Sequence, residues 1–143
     1  MKKNTLTGKC LCGAVKFRAT PEKAHAGACH CKMCRNWCSG PFMAVMCGNS
    51  VEFDGTDNIS IYSSSEWAER GFCKTCGTNL FWRLADGREY GMAAGAFDDQ
   101  SALTFTSQVF TDENPGWYEF ANETHDMTGP EVIAMYSGNV GSS

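Results

Sequence analysis

The chain is organised around one cysteine-rich stretch, Cys29-His30-Cys31-Lys32-Met33-Cys34, which places three thiols within six residues. Two shorter cysteine groups flank it along the sequence, Cys10-Leu11-Cys12 before it and Cys73-Lys74-Thr75-Cys76 after it. Thiols two or three residues apart can present both sulfurs from one side of a turn, and zinc prefers four tetrahedral ligands of this kind. The spacing therefore predicts two metal sites, and zinc is the metal that we expect.

Disulfide bonding is the rival interpretation of so many cysteines. The total is nine, an odd number, whereas secreted disulfide scaffolds usually carry an even number. The basic start of the chain, Met1–Thr5, is not followed by an apolar segment, so we predict no signal peptide. We therefore expect a cytoplasmic protein whose thiols stay reduced and bind metal.

Length and charge limit the remaining classes. The 143 residues fit one domain, and the hydrophobic share of 43% is ordinary for a globular protein. The net charge of −4 argues against binding to nucleic acid, and no apolar run is long enough to cross a bilayer. We expect a single zinc-binding domain over residues 1–143, with no nucleic-acid or membrane partner. The sequence does not indicate the oligomeric state.

Short apolar or alternating segments separated by turn residues predict a mainly β fold. We place strands over residues 6–10, 14–20, 42–47, 51–53, 59–62, 80–84, 90–97 and 103–110. A turn of helix is predicted over residues 35–38. One short C-terminal helix is predicted over Val132–Tyr136, because Thr128 and Glu131 form a capping box and Gly138 would end it.

The three cysteine groups divide into two candidate sites. Cys73 and Cys76 form a knuckle that needs two further thiolates, and Cys10 and Cys12 offer a matching pair from another hairpin. This division leaves Cys29-His30-Cys31-Lys32-Met33-Cys34 as a local set of three thiols. Catalytic zinc sites have three protein ligands and an open fourth position, so we expect Cys29, Cys31 and Cys34 to hold a catalytic zinc.

A closed second site is the alternative. Cys38 lies four residues after Cys34, which on a helix is close enough to complete a fourth thiolate, and Cys47 is another candidate. The usual fate of an isolated cysteine is a small buried hydrophobe, and we interpret both residues in this way. A site closed by either thiol would be a second structural staple.

A few other side chains are candidates for the neighbourhood of the second site. His30 lies between two of the thiols and is interpreted as a structural residue rather than a ligand. Arg35 follows the third thiol and can meet a substrate carboxylate or hold the site together. Trp37, Trp117 and Tyr118 are candidates to line a substrate pocket, although ordinary core packing would also explain them. The sequence identifies no general acid or base.

Several motifs carry a family resemblance. They are Gly8-x-Cys10-x-Cys12-Gly13-x-Val15-x-Phe17, Cys29-His30-Cys31-x-x-Cys34-Arg35, Phe72-Cys73-x-x-Cys76-Gly77-Thr78-x-Leu80-Phe81, Gly95-Ala96-Phe97-Asp98-Asp99 and Asn114-Pro115-Gly116-Trp117-Tyr118. With these motifs the chain resembles the glutathione-dependent formaldehyde-activating enzyme family, which includes centromere protein V.

The resemblance implies both a fold and an activity. The fold would be mainly β, built of small antiparallel sheets tied together by zinc. A structural zinc would lie on four cysteines and a second zinc on three; these are Cys10, Cys12, Cys73 and Cys76, and Cys29, Cys31 and Cys34. The implied activity joins formaldehyde to glutathione, giving S-(hydroxymethyl)glutathione, which is a carbon–sulfur lyase reaction in reverse. The alternative is a non-catalytic, zinc-stabilised binding or scaffold module.

Overall fold

The structure is a computed structural model that describes residues 4–141, with side chains described as far as residue 136. This part of the chain forms eleven strands and two α-helices, together with three short 3-10 helices. The strands are β1 (Leu6–Lys9), β2 (Lys16–Ala19), β3 (His25–Cys29), β4 (Phe42–Met46), β5 (Glu52–Asp54), β6 (Ile59–Ser63), β7 (Ala68–Cys73), β8 (Asn79–Leu84), β9 (Tyr90–Ala93), β10 (Thr104–Val109) and β11 (His125–Met127). The helices are α1 (Lys32–Cys38) and α2 (Gly129–Gly141), and the 3-10 helices are Thr56–Asn58, Ala94–Ala96 and Thr111–Glu113.

The predicted mainly β class is confirmed, and the helices differ from prediction in their extent. The Thr128 N–H donates to Glu131 Oε1 at 2.8 Å, and the Glu131 N–H donates to Thr128 Oγ1 at 3.4 Å, so the predicted capping box is present. Helix α2 then continues through Gly138, and the predicted end at that residue is wrong. A glycine inside a helix costs only about 1 kcal/mol relative to alanine, which does not force a stop. Helix α1 begins three residues before the predicted turn.

Three strands were not predicted, namely β3, β7 and β11. Strand β3 is built largely of small residues, and β7 carries Arg70 and Gly71 in the middle of its sequence. Neither segment shows the enrichment in large apolar residues that predicts a strand. Both strands end at a cysteine of a candidate metal site, so these two elements position ligand residues.

Contacts between Cα atoms divide the chain into two compact units. The first unit covers residues 4–25 and 44–104 of the described chain. It contains an antiparallel sheet in the order β1-β2-β5 and a second antiparallel set in the order β4-β9-β8-β7-β6. Packed aromatic rings form its core: Phe17, Phe53, Phe81, Tyr90 and Phe97.

The second unit covers residues 26–43 and 105–141 of the described chain. Its strands lie in the order β11-β10-β3, and β10 pairs with β11 in parallel, which differs from the antiparallel pairing expected throughout. Helix α1 follows directly on β3. Neither α-helix in the described part of the chain has the length and apolar character needed to span a membrane. The single domain over residues 1–143 stays a prediction.

Candidate metal centres

The first candidate centre is a cluster of four cysteines in the first unit. Cys10 follows β1 and Cys12 lies in the turn to β2, whereas Cys73 ends β7 and Cys76 lies in the turn to β8. The four Sγ atoms all lie within 4.8 Å of one another. The Sγ atoms of Cys10 and Cys12 are 3.7 Å apart, and those of Cys12 and Cys73 are 3.8 Å apart. The structure therefore brings together the four residues that the sequence paired.

These distances can be compared with those that zinc requires. A tetrahedral site with Zn–S bonds of about 2.3 Å has its sulfurs about 3.8 Å apart. Backbone N–H groups also point at the sulfurs, from Val15 to Cys10 Sγ at 3.3 Å and from Cys76 to Cys73 Sγ at 3.5 Å. Such hydrogen bonds favour the ionised sulfur that a metal ligand needs. The geometry and the donor set both fit a zinc ion.

The Thr78 side chain links the two turns and contacts the Cys76 sulfur. The Leu11 N–H donates to Thr78 Oγ1 at 2.9 Å, so the threonine hydroxyl is free to donate to Cys76 Sγ at 3.1 Å. Hydrogen bonds from the side chain and backbone of Thr78 lower the pKa of Cys76 to about 5. The turns themselves need glycine, because Gly13 and Gly77 have φ angles of 81° and 78°.

The second candidate centre is a cluster of three cysteines in the second unit. Cys29 ends β3, Cys31 caps the N-terminus of α1, and Cys34 lies buried inside the helix. Their Sγ atoms also lie within 4.8 Å of one another. The Cys34 N–H donates to Cys31 Sγ at 3.3 Å, so a sulfur takes the place that a serine or aspartate oxygen usually fills at a helix cap. The turn from strand to helix thereby gathers all three sulfurs.

The electrostatics of this cluster favour a cation. Hydrogen bonds with the thiols of Cys31 and Cys34, followed by burial, raise the pKa of Cys29, and repulsion between ionised sulfurs adds to the effect. A divalent ion among them reverses this effect, since a coordinating thiol is deprotonated. The three-sulfur set is thus chemically suited to a metal ion.

Cys38 and Cys47 lie outside both clusters. The Cys38 thiol donates to the backbone oxygens of Cys34 at 3.1 Å and Gly40 at 3.2 Å. Cys47 is buried, its thiol donates to Val45 O at 3.3 Å, and burial followed by the charge of Glu89 raises its pKa to about 12. Among the described residues, neither sulfur joins the group of three.

His30 occupies a closed polar position beside the three-sulfur cluster. Its side chain is 0% exposed, with Nδ1 2.8 Å from the Tyr118 hydroxyl and Nε2 2.8 Å from Gln108 Oε1. The imidazole also stacks on the Tyr118 ring, with ring centroids 5.5 Å apart. Both ring nitrogens therefore have side-chain hydrogen-bond partners, and the structural role of His30 stays a prediction. Gln108 was not singled out in the sequence, because nothing local marks a glutamine on a strand.

The four predicted substrate residues are placed differently from one another. Arg35 is half-buried, and its Nε donates to His30 O at 2.8 Å. Tyr118 contacts His30, and the Trp117 ring lies edge-on to the Tyr118 ring with centroids 4.8 Å apart. Trp117 is 73% exposed, whereas Trp37 packs on Phe42 with centroids 5.2 Å apart. Arg35 and Tyr118 thus converge on His30, and Trp37 packs as a core residue would.

The fold and the two clusters define a small, mainly β protein with two sites that can hold metal ions. Comparison with known families agrees, since the family model described as "Glutathione-dependent formaldehyde-activating enzyme" matches residues 5–113. The chain belongs to this family.

Individual relatives extend the comparison. The chain is 41% identical over 127 residues to a Schizosaccharomyces pombe protein described as an uncharacterized lyase, covering 88% of this chain and 93% of that one. It is 31% identical over 85 residues to a Halomonas elongata protein provisionally named a glutathione-dependent formaldehyde-activating enzyme, and the match covers 53% of this chain and 54% of that one. A crystal structure of a Rhodobacter sphaeroides protein is similar with a TM-score of 0.57 at 25% identity, covering 65% of this chain and 88% of that one.

Proposed function

We propose that the protein is a zinc-dependent, lyase-type enzyme that makes and breaks the carbon–sulfur bond between a thiol such as glutathione and an aldehyde such as formaldehyde. The observation that carries this proposal is the three-sulfur cluster, which offers a metal one ligand fewer than the four-sulfur cluster does. Family membership and the lyase name of one relative support it. We further propose one zinc ion at each cluster and a cytoplasmic location.

The proposed reaction conserves atoms and needs no oxidant. In the forward direction the sulfur bonds to the carbonyl carbon, the carbonyl π bond breaks, and the thiol hydrogen ends on the new hydroxyl oxygen. Zinc bound at the cluster would supply a positive charge that favours the ionised form of the thiol. We assign Cys29, Cys31 and Cys34 to hold that metal, and Cys10, Cys12, Cys73 and Cys76 to hold the structural one.

Arg35 is proposed to bind a carboxylate of the thiol substrate. Its Nε is engaged by His30 O, which fixes the plane of the guanidinium and leaves its two terminal amino groups to contact an anion. Arginine suits this role because its fork of donors matches the two oxygens of a carboxylate. Glutathione carries two carboxylates, so an anchored guanidinium beside the cluster would orient the sulfur toward it.

Tyr118 and Trp117 are proposed to flank the bound thiol. Tyr118 is held by His30, and its pKa is raised chiefly by burial, with a smaller lowering by Arg35 and a raising by Cys29. These influences indicate that Tyr118 lies within electrostatic reach of the cluster. The exposed Trp117 ring beside it offers an apolar surface at the solvent side. Trp37 was also predicted to contact substrate, and its packing on Phe42 favours a supporting role instead.

Exchange spectroscopy on the zinc-loaded protein tests the proposal. With ¹³C-formaldehyde and glutathione, the interconversion of free aldehyde and S-(hydroxymethyl)glutathione can be followed by NMR. We expect acceleration over the uncatalysed exchange, two zinc ions per chain by metal analysis, and loss of acceleration in Cys31→Ser. Cys38→Ser is the matched control and should retain both zinc and activity. A chain that holds two zinc ions and leaves the exchange rate unchanged would instead be a non-catalytic zinc module.

A further inference from the structure

A chain of hydrogen bonds runs from the candidate site to the surface of the second unit. The Tyr118 hydroxyl lies 2.8 Å from His30 Nδ1, and His30 Nε2 lies 2.8 Å from Gln108 Oε1. Gln108 Nε2 donates to Thr124 Oγ1 at 2.9 Å, and Thr124 Oγ1 donates to Asp126 Oδ1 at 2.5 Å. His30 lies 78 residues from Gln108 and 88 residues from Tyr118 along the sequence, and Asp126 is exposed at the outer end.

The carboxylate at the outer end sets the direction of every bond in the chain. An ionised carboxylate can only accept, so the Thr124 hydroxyl donates to Asp126 and its oxygen accepts from the Gln108 amide. The amide oxygen of Gln108 then faces His30 and requires a hydrogen on Nε2. In the neutral imidazole this leaves Nδ1 as an acceptor, so the Tyr118 hydroxyl must donate to it.

The backbone holds the members of this chain in register. Strands β10 and β11 pair in parallel with Gln108 opposite Asp126. The glutamine and the aspartate that ends the series of hydrogen bonds therefore belong to the same pair of strands. The His30 N–H donates to Val109 O at 3.1 Å, which ties the histidine to the residue after Gln108. Because the imidazole is fully buried, water cannot supply a competing partner that would reverse the order.

We propose that Thr124 and Asp126 are positioning residues that fix His30 as the Nε2–H tautomer and so turn the Tyr118 oxygen into a hydrogen-bond acceptor for the hydroxyl group of the thiol–aldehyde adduct. A phenol oxygen that donates its own hydrogen keeps lone pairs with which to accept one. That the adduct hydroxyl is the group that donates to Tyr118 rests on the proposed function. The direction of the hydrogen bonds between Tyr118 and Asp126 rests on their geometry alone. The adduct carries a hydroxyl that the parent thiol lacks, so Tyr118 would favour the adduct.

The tautomer of His30 can be determined by NMR spectroscopy of the protein. Long-range ¹H–¹⁵N correlation spectra of the zinc-loaded chain distinguish a protonated from an unprotonated ring nitrogen, and His25→Gln and His125→Gln variants assign the His30 signals. We expect hydrogen on Nε2 and none on Nδ1. In Thr124→Val the Gln108 amide can rotate, so the spectrum should shift toward a mixture of tautomers, whereas Thr124→Ser, which keeps the hydroxyl, should match the wild type. The spectrum of the unaltered protein decides the point even if the valine variant does not fold.

Kinetics then test the consequence for the substrate. For Thr124→Val we expect KM for the adduct to rise about five- to tenfold, the loss of about one hydrogen bond, with kcat and zinc content little changed and with rescue in Thr124→Ser. Hydrogen on Nδ1 in the wild type, or on both nitrogens, would overturn the proposal, as would equal kinetics in the valine and serine variants. A wild-type protein with the expected tautomer and no lyase activity would overturn the proposed function instead, while supporting the proposed direction of the hydrogen bonds from Tyr118 to Asp126.

Discussion

Replacing one cysteine in each cluster should separate a site that stabilises the whole fold from a local one. We expect Cys73→Ser to destabilise the zinc-loaded protein more than Cys31→Ser does. Both substitutions remove one thiolate ligand, so the direct loss of metal binding is similar. They differ in what the metal ties together, because the four-sulfur cluster joins β1 and the turn after it to the end of β7.

The separation of the ligands along the chain gives the size of the difference. Cys12 and Cys73 are 61 residues apart, whereas five positions separate Cys29 from Cys34. A cross-link restricts the unfolded chain by about (3/2)RT ln n, which is about 3.7 kcal/mol for the long loop and about 1.4 kcal/mol for the short one. The long loop is therefore worth roughly 2 kcal/mol more, which corresponds to about 8 °C in Tm for a chain of this length.

Thermal melts with metal analysis on each variant measure this difference. Cys38→Ser serves as the control, since Cys38 lies outside both clusters. Melts repeated in excess chelator provide a second control, because the difference should vanish when neither site holds metal. Equal losses of Tm in the two zinc-loaded variants, or a larger loss in Cys31→Ser, would refute the argument from loop length.

Three further substitutions test other features of the structure. Arg35→Ala should weaken glutathione binding about tenfold at unchanged zinc content, because it removes a charge-assisted hydrogen bond to a carboxylate; calorimetric titration measures it. Gly71→Ala should lower the free energy of unfolding by about 1–3 kcal/mol in denaturant melts, because an added Cβ would overlap the Phe81 ring; Gly95→Ala, which meets open space, is its matched control. Glu89→Gln should stabilise the protein at about pH 7 but not below about pH 4.5, because burial raises the pKa of this carboxyl above its ordinary 4.5.

The sign of the Glu89 effect follows from proton binding. The folded state holds this proton more tightly than the unfolded state, so wild-type stability falls as the pH rises from about 4.5 through the raised pKa. Glutamine does not titrate and keeps an acceptor for the Gly48 N–H, so its advantage should grow over that range. A stability difference between Glu89→Gln and wild type that does not change with pH would contradict this expectation.

For Arg35→Ala, an unchanged affinity for glutathione would return Arg35 to a structural role. For Gly71→Ala, a denaturant melt equal to that of Gly95→Ala would count against close packing of Gly71 on Phe81.

Local sequence signals predicted some features of this protein well. The capping box at Thr128 and Glu131 acts over three residues, and its hydrogen bonds are present. The cysteine groups are equally local, since thiols at such spacing gather on one turn whatever the rest of the chain does. The union of Cys10 and Cys12 with Cys73 and Cys76 is a long-range pairing, yet the number of ligands that zinc needs predicted it.

Features that depend on long-range contact were not predictable in this way. Gln108 meets His30 from 78 residues away, and nothing near it in the sequence signals the contact. Tyr118 was a candidate pocket residue, but its hydrogen bond to His30, 88 residues away, was not predicted. Strand β7 is specified by its neighbours β6 and β8 rather than by its own sequence, which has a charged residue and a glycine at its centre. Tertiary pairing commonly overrides such weak local preferences.

The separation of Cys12 from Cys73 also has a consequence for synthesis on the ribosome. At about 5–20 residues per second, several seconds pass between the emergence of the first pair of thiols and that of the second. By the end of that interval the nascent chain displays seven thiols, those of Cys10, Cys12, Cys29, Cys31, Cys34, Cys38 and Cys47, and four of them suffice to bind an ion in a non-native arrangement. For the zinc proposed at the four-sulfur cluster, this order of emergence implies that the ion either binds after Cys76 has left the exit tunnel or exchanges ligands as the second hairpin emerges.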